Sequence, residues 1–130
     1  MADTGARKTR ILRDLDRRSS LRVDLAVEVQ LQIQEKGEIF VATMANAGLG
    51  GALLLLNREI QLPSWLMLIW PIEGAKDLKI EADLVWIGDA VAKENHGSDD
   101  YWPAGIAFRA YSGGIRTRLA EAIAEYGSRG

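Results

Sequence analysis

From position 25 the chain alternates apolar and polar residues almost without fault. Leu25, Val27, Val29, Leu31 and Ile33 share one parity, and Ala26, Glu28, Gln30, Gln32 and Gln34 share the other. A period of two predicts a strand with one face in a core and the other in water. The segment EKGE at 35–38 predicts a hairpin turn, with Gly37 supplying dihedrals that side chains resist, and a second strand follows over about 39–45. NAGLGG at 46–51 interrupts the pattern, and the apolar run at 52–56 resumes it as a buried strand. NREIQLP turns the chain, residues 65–70 read as a further strand closed by Pro71, and the polar EGAKD follows. Alternation returns over 78–87, where Leu78, Ile80, Ala82, Leu84 and Trp86 fall on one face. Residues 88–100 predict a turn or flexible loop, and 102–108 predict the last strand, with Pro103 near its start where a missing N–H is tolerated.

The period then changes. Ile115, Leu119, Ala122, Ile123 and Tyr126 recur at helical spacing from about Ser112, which predicts a helix with Ser112 as N-cap and Gly127 as its stop. Gly113 and Gly114 weaken its first turn. Short strands with turns about every ten residues predict an all-β fold, a six- to seven-stranded antiparallel barrel whose C-terminal helix covers one opening.

Composition narrows the function classes. A chain of 130 residues, 48% apolar, predicts one domain with an ordinary core. With no cysteine, disulfides, thiolate metal sites and a cysteine nucleophile are excluded. The opening MADTGARK lacks the apolar segment of a secretory signal, and ALLLL and WLMLIW are strand-sized, so the expectation is a cytoplasmic protein with no membrane partner. The net charge of −2 hides an asymmetry: residues 1–22 hold seven basic and three acidic groups, whereas 23–130 hold nine and fifteen. This divides the chain into a flexible basic N-terminal arm, 1–22, and a barrel with its helix, 23–130. An acidic barrel argues against a nucleic acid polymer as partner, because such affinity rests on many phosphate contacts. A local anion site at the basic end stays open.

Two short patterns stand at telling places: Arg18-x-x-x-Arg22 just before the first strand, and Asn46-x-Gly48-x-x-Gly51 between the second and third. In this order the chain resembles the PilZ family of bacterial cyclic di-GMP receptor domains, whose motifs are RxxxR and (D/N)xSxxG. ADLVWI and GIAFRAYSGGIRTRLAEAI also resemble that family's later strands and C-terminal helix, so the likeness spans most of 16–126. The resemblance implies a non-catalytic receptor with cyclic di-GMP as ligand and no cofactor. Arg18 and Arg22 would clamp phosphate and guanine, since a guanidinium donates a planar pair of hydrogen bonds to either. Asn46 would read a guanine edge, and Gly48, Gly50 and Gly51 would admit close backbone approach with N–H groups facing the anion. An arginine at the position of Arg17 accompanies binding of two intercalated ligands in such families, which implies up to two cyclic di-GMP molecules per chain. Binding would order the arm and signal to an unidentified downstream protein, the domain being a monomer or a ligand-dependent homodimer. The chain departs from the family at Gly48, where serine is usual. If that hydroxyl donates to ligand, its loss costs roughly 0.5–1.5 kcal/mol, about one decade of affinity.

The same residues admit plainer readings. The arginines fit a solvated basic tail, and the asparagine and glycines fit a tight turn. A PilZ-like domain that has lost its ligand and serves as an interaction adaptor in motility or pilus control is the main alternative, and Gly48 favours it. A barrel for single-stranded nucleic acid would need a basic groove with exposed aromatics. A P-loop is excluded because the lysine and Ser/Thr that should follow the glycines are missing. His96, Asp99 and Asp100 read as solvated surface, Glu28 and Asp83 as outward strand positions, and Arg116 and Arg118 as the wet side of the helix. Trp65, Trp70, Trp86 and Trp102 read as core and barrel-end packing rather than stacking platforms; one of them could flank the ligand, and the sequence does not say which.

Overall fold

The computed structural model describes residues 4–18, 20–33, 37–92 and 100–129. Its elements run α1 (Thr4–Arg17), β1 (Val23–Ile33), β2 (Glu38–Ala47), β3 (Gly51–Leu56), β4 (Trp65–Trp70), β5 (Leu78–Ile87), β6 (Val91–Ala92), β7 (Asp100–Phe108) and α2 (Gly113–Arg129). Hydrogen-bonded neighbours follow the order β3-β2-β1-β4-β5-β7-β6, and β3 also pairs with β7. Six strands therefore close into an antiparallel barrel, with the two-residue β6 added beside the start of β7. This is the barrel that the period-two pattern predicts. Closure leaves those six strands without a free edge.

The alternating residues do what their parity requires. Val29, Leu31, Met44, Leu54, Leu66 and Leu68 are fully or almost fully buried and meet inside the barrel. Gly37, at the β1–β2 turn, has φ of 64°, the left-handed conformation that favours glycine; Glu35 and Lys36 of that turn lie outside the described residues. His96 and Asp99 also lie outside them. The segment read as a loop over 88–100 contributes β6 at Val91–Ala92.

Helix α2 packs Leu119, Ala122 and Ile123 into the core, and its Tyr126 ring lies 5.3 Å from that of buried Trp70. Ser112 caps it: the Ile115 N–H donates to Ser112 Oγ at 3.2 Å. Gly127 is not the stop that the sequence suggests, because the helix continues to Arg129. A Cβ at Gly127 would stand 2.5 Å from Val23 Cγ1, 3.4 Å from Ile11 Cδ1 and 3.7 Å from Leu25 Cδ2. Glycine there lets β1 and α1 approach the helix backbone.

Where an arm is expected over 1–22, Thr4–Arg17 is helix α1, lying against α2. Leu15 is 1% exposed, and Ile11 packs on the same core. Lys8 Nζ lies 3.2 Å from Glu121 and 3.4 Å from Glu125 on α2, and Arg116 pairs with Asp16 at 3.8 Å. The amphipathic signal amounts to Ile11, Leu12 and Leu15 inside a basic stretch, and it forms a helix because α2 supplies both an apolar surface and acidic partners. No described helix is long and apolar enough to cross a membrane.

Three register shifts interrupt the strand pairing among the described residues, one of them between β2 and β3, where Met44↔Leu54 is followed by Asn46↔Leu53. In β1 the pairing moves from Asp24↔Asn46 to Val27↔Met44, and Ala26 takes φ of 71°. In β5 it moves from Leu84↔Ile106 to Trp86↔Gly105, so Val85 is the extra residue. Leu84 is buried, but Val85 and Trp86 are both exposed, at 57% and 46%. Trp86 therefore lies outside the barrel rather than on the buried face that strict alternation assigns to it.

Candidate functional site

The outward turn of Trp86 builds the site. Register partners carry a row across four strands: Asn46 on β2, Leu53 on β3, Gly105 on β7 and Trp86 on β5. The indole lies over the glycine, since a Cβ at Gly105 would stand 2.1 Å from Trp86 Nε1. Any larger residue at 105 would lift the ring from the wall. Together with Arg22, Val85 and Ala107, this row lines an open depression of about 480 Å³ on the barrel's outer face.

Arg22 closes one side of the depression. Leu21 N–H donates to the Arg18 carbonyl at 3.1 Å, turning the chain between α1 and β1. Arg22 then extends along the glycine loop, and its Nη1 donates to Asn46 Oδ1 at 3.4 Å. Arg22 is exposed and Asn46 half-buried, so both side chains can be reached from solvent. Asn46 gives its carbonyl oxygen to Arg22 and keeps its NH₂ group as a donor.

The loop between Asn46 and β3 is anchored on three sides. Gly48 N–H donates to the Gly51 carbonyl at 2.9 Å, and Phe108 N–H donates to the Gly50 carbonyl at 2.9 Å. Tyr111 Oη donates to the Leu49 carbonyl at 2.5 Å, and burial raises the Tyr111 pKa, which keeps that donor protonated. Gly51 lies against β7, where a Cβ would stand 2.1 Å from the Ile106 carbonyl oxygen. The N–H of Gly48, expected to face an anion, is thus taken up within the loop.

Of the residues singled out from the sequence, the structure brings together Arg22, Asn46, Gly48 and Gly51. Gly50 is exposed at the loop's tip. Arg17 is the last residue of α1 and Arg18 the next; both are exposed, and neither lines the depression. The sequence leaves Trp86 as one of four tryptophans that could flank a ligand, because a bulge hides its outward turn from the period-two count, and Leu53 reads as core.

Elsewhere on the outer face, Arg109 donates to Asp83 Oδ1 from Nε at 3.1 Å and Nη2 at 2.7 Å, with its guanidinium 4.8 Å from the centre of the Trp65 ring. The hydrogen bond from Arg109 lowers the Asp83 pKa and raises that of Arg109. This outward carboxylate is tied into an ion pair. No group of three or more His, Cys, Asp or Glu among the described residues is placed to hold a metal ion.

A model of the PilZ domain family matches residues 16–125, which include both motifs and the whole barrel. This chain belongs to the PilZ domain family. Solved PilZ structures share its fold. The PilZ domain with c-di-GMP of YcgR from Escherichia coli superposes with a TM-score of 0.69 at 15% identity, over 87% of this chain and 93% of that one. The PilZ domain of CeSA from a cellulose-synthesizing bacterium gives 0.57 at 12% identity, over 85% and 100%. MotI/DgrA, an inhibitor of motility from Bacillus subtilis, gives 0.57 at 20% identity, over 82% of this chain and 49% of that one. At these identities the likeness is one of fold. No curated protein sequence matches the chain.

Proposed function

We propose that this PilZ domain is a cytoplasmic receptor for cyclic di-GMP, passing the ligand's presence to a protein partner and catalysing no reaction. The observation that carries the reading is the Arg22–Asn46 pair at the edge of a depression whose far side is an exposed indole. A guanidinium, a free amide donor and a flat aromatic face are the three groups that a phosphodiester joined to guanines calls for. Membership of the family and the fold shared with the ligand-bound YcgR domain support it. Arg22 takes phosphate or a guanine edge, Asn46 donates to the base, and Trp86 stacks on it. Arg17 and Arg18, at the end of α1, close over the ligand from outside the depression, and a second ligand molecule stacks under Arg17.

Calorimetric titration of cyclic di-GMP into wild type and Arg22→Ala tests the proposal. Removing one charged donor costs about 1.5–3 kcal/mol, so the variant should bind roughly ten- to hundredfold more weakly. Equal affinity of the two proteins would refute the assignment of Arg22. Absence of heat with wild type at high micromolar ligand favours the second reading, an interaction adaptor that has lost the ligand. That reading draws on Gly48, which brings no hydroxyl and whose N–H is taken by Gly51.

A further inference from the structure

Gly48 stands where its family has serine, which reads from sequence alone as a lost ligand contact. The space around it says otherwise. A Cβ built on Gly48 would stand 2.1 Å from the Leu21 carbonyl oxygen, 3.2 Å from the Leu21 carbonyl carbon and 3.2 Å from Arg22 Cδ. All three atoms belong to the connector between α1 and β1. The connector backbone therefore occupies the volume that a side chain at 48 would fill, and Gly48 is itself buried.

We infer that Gly48 is a positioning residue for Arg22: its missing side chain is a socket for the Leu21 carbonyl, and that fit sets the guanidinium beside Asn46. The inference rests on the ligand reading above and changes what Gly48 means in it. No atom approaches a Cβ at 2.1 Å, so any side chain at 48 must drive the connector outward by about an ångström. Arg22 is the next residue along and touches the same volume, so its guanidinium moves with the backbone. A serine here would add a hydroxyl while displacing the arginine, and a charged forked donor outweighs a neutral hydroxyl. The glycine at this motif position thus fits the connector that packs on it in this chain.

The test uses the full chain, with Gly48→Ser, Gly48→Ala, Arg22→Ala and the Gly48→Ala/Arg22→Ala double variant. Titrated with cyclic di-GMP, both Gly48 variants are expected to bind about tenfold more weakly than wild type, the change that ~1.4 kcal/mol produces. The double variant should bind no more weakly than Arg22→Ala alone, because Gly48 acts through that arginine. A serine variant that binds as well as wild type or better overturns the inference, as do additive losses in the double variant. A ligand-free readout separates this inference from the ligand reading. In NMR spectra, the Asn46 side-chain amide of Gly48→Ala should shift toward its position in Arg22→Ala; an unmoved resonance overturns the socket even if wild type takes up no ligand. Should Gly48→Ser fail to fold, inserting one glycine between Ser20 and Leu21 in that background should recover the fold, since the obstructing atoms all lie in the connector. No recovery would overturn the inference too.

Discussion

Replacing Trp86 with alanine separates what the indole does for the barrel from what it does for a ligand. The ring is 46% exposed and rests on Gly105. A tryptophan buries about 150–250 Å² when enclosed, so roughly 100 Å² is at stake here. At about 25 cal/mol per Å² that is ~2.5 kcal/mol of stability, an upper figure because the unfolded chain already hides some apolar surface. A base stacked on the exposed face contributes about 1–3 kcal/mol, so Trp86→Ala should weaken cyclic di-GMP binding by about five- to 150-fold. Trp86→Phe keeps a smaller face and should fall between alanine and wild type. Gly105→Ala leaves the indole in the sequence but puts a Cβ 2.1 Å from Nε1, and it should lose affinity much as Trp86→Ala does. Calorimetry at one fixed salt concentration reads the affinity, and urea denaturation of the same samples confirms that each variant is folded. If folded Trp86→Ala binds within about twofold of wild type, the indole is no platform and the depression loses one of its walls.

Three further outcomes follow from the packing and the charges. Leu15→Ala removes the one α1 side chain that, among the described residues, is almost fully enclosed, and should cost about 2–5 kcal/mol in urea denaturation, whereas a free arm would lose nothing. Gly127→Ala should destabilise by about 1–3 kcal/mol although alanine is the better helix former by ~1 kcal/mol, because its Cβ meets Val23 Cγ1 at 2.5 Å; a raised melting temperature would refute the close crossing. The Asp83 pKa is lowered by its hydrogen bond from Arg109, and the Glu125 pKa by hydrogen bonds from Arg129 and Lys8. Both folded values lie below the ordinary 3.8 and 4.5, so this stability is complete above those values and is lost as pH falls through the folded ones. Melting temperatures measured from pH 6 downward should decline along that limb, and Asp83→Asn should flatten it.

The strands were legible because Leu25 through Ile33, and Leu78 through Leu84, obey their period and the barrel rewards that obedience. Helix α2 was legible because Leu119, Ala122, Ile123 and Tyr126 recur at helical spacing. What escaped depends on partners remote in sequence. Ile11, Leu12 and Leu15 among basic residues look like a solvated tail until Glu121, Glu125 and the α2 surface are placed beside them. Trp86 escaped because Val85 adds one residue to β5, and a bulge leaves no mark in a local hydrophobic pattern. The site divides in the same way. Arg22 and Asn46 could be paired from motif order alone, since both flank the first hairpin. Gly48 was visible as a departure, but its purpose needed the Leu21 carbonyl in three dimensions.

The glycine at position 127 also bears on affinity. It brings Ile11 of α1 and Val23 of β1 to the same stretch of α2, so the arginine-bearing connector begins and ends on one rigid support. A dangling tail of several residues would surrender about 1–2 kcal/mol per residue to be captured by a small molecule. A short span tethered at both feet gives up much of that freedom when the domain folds, so on the proposed reading a bound messenger would spend less of its interaction energy on gathering the arginines. Loosening the crossing of α1, β1 and α2 should therefore blunt sensing without touching a single ligand contact.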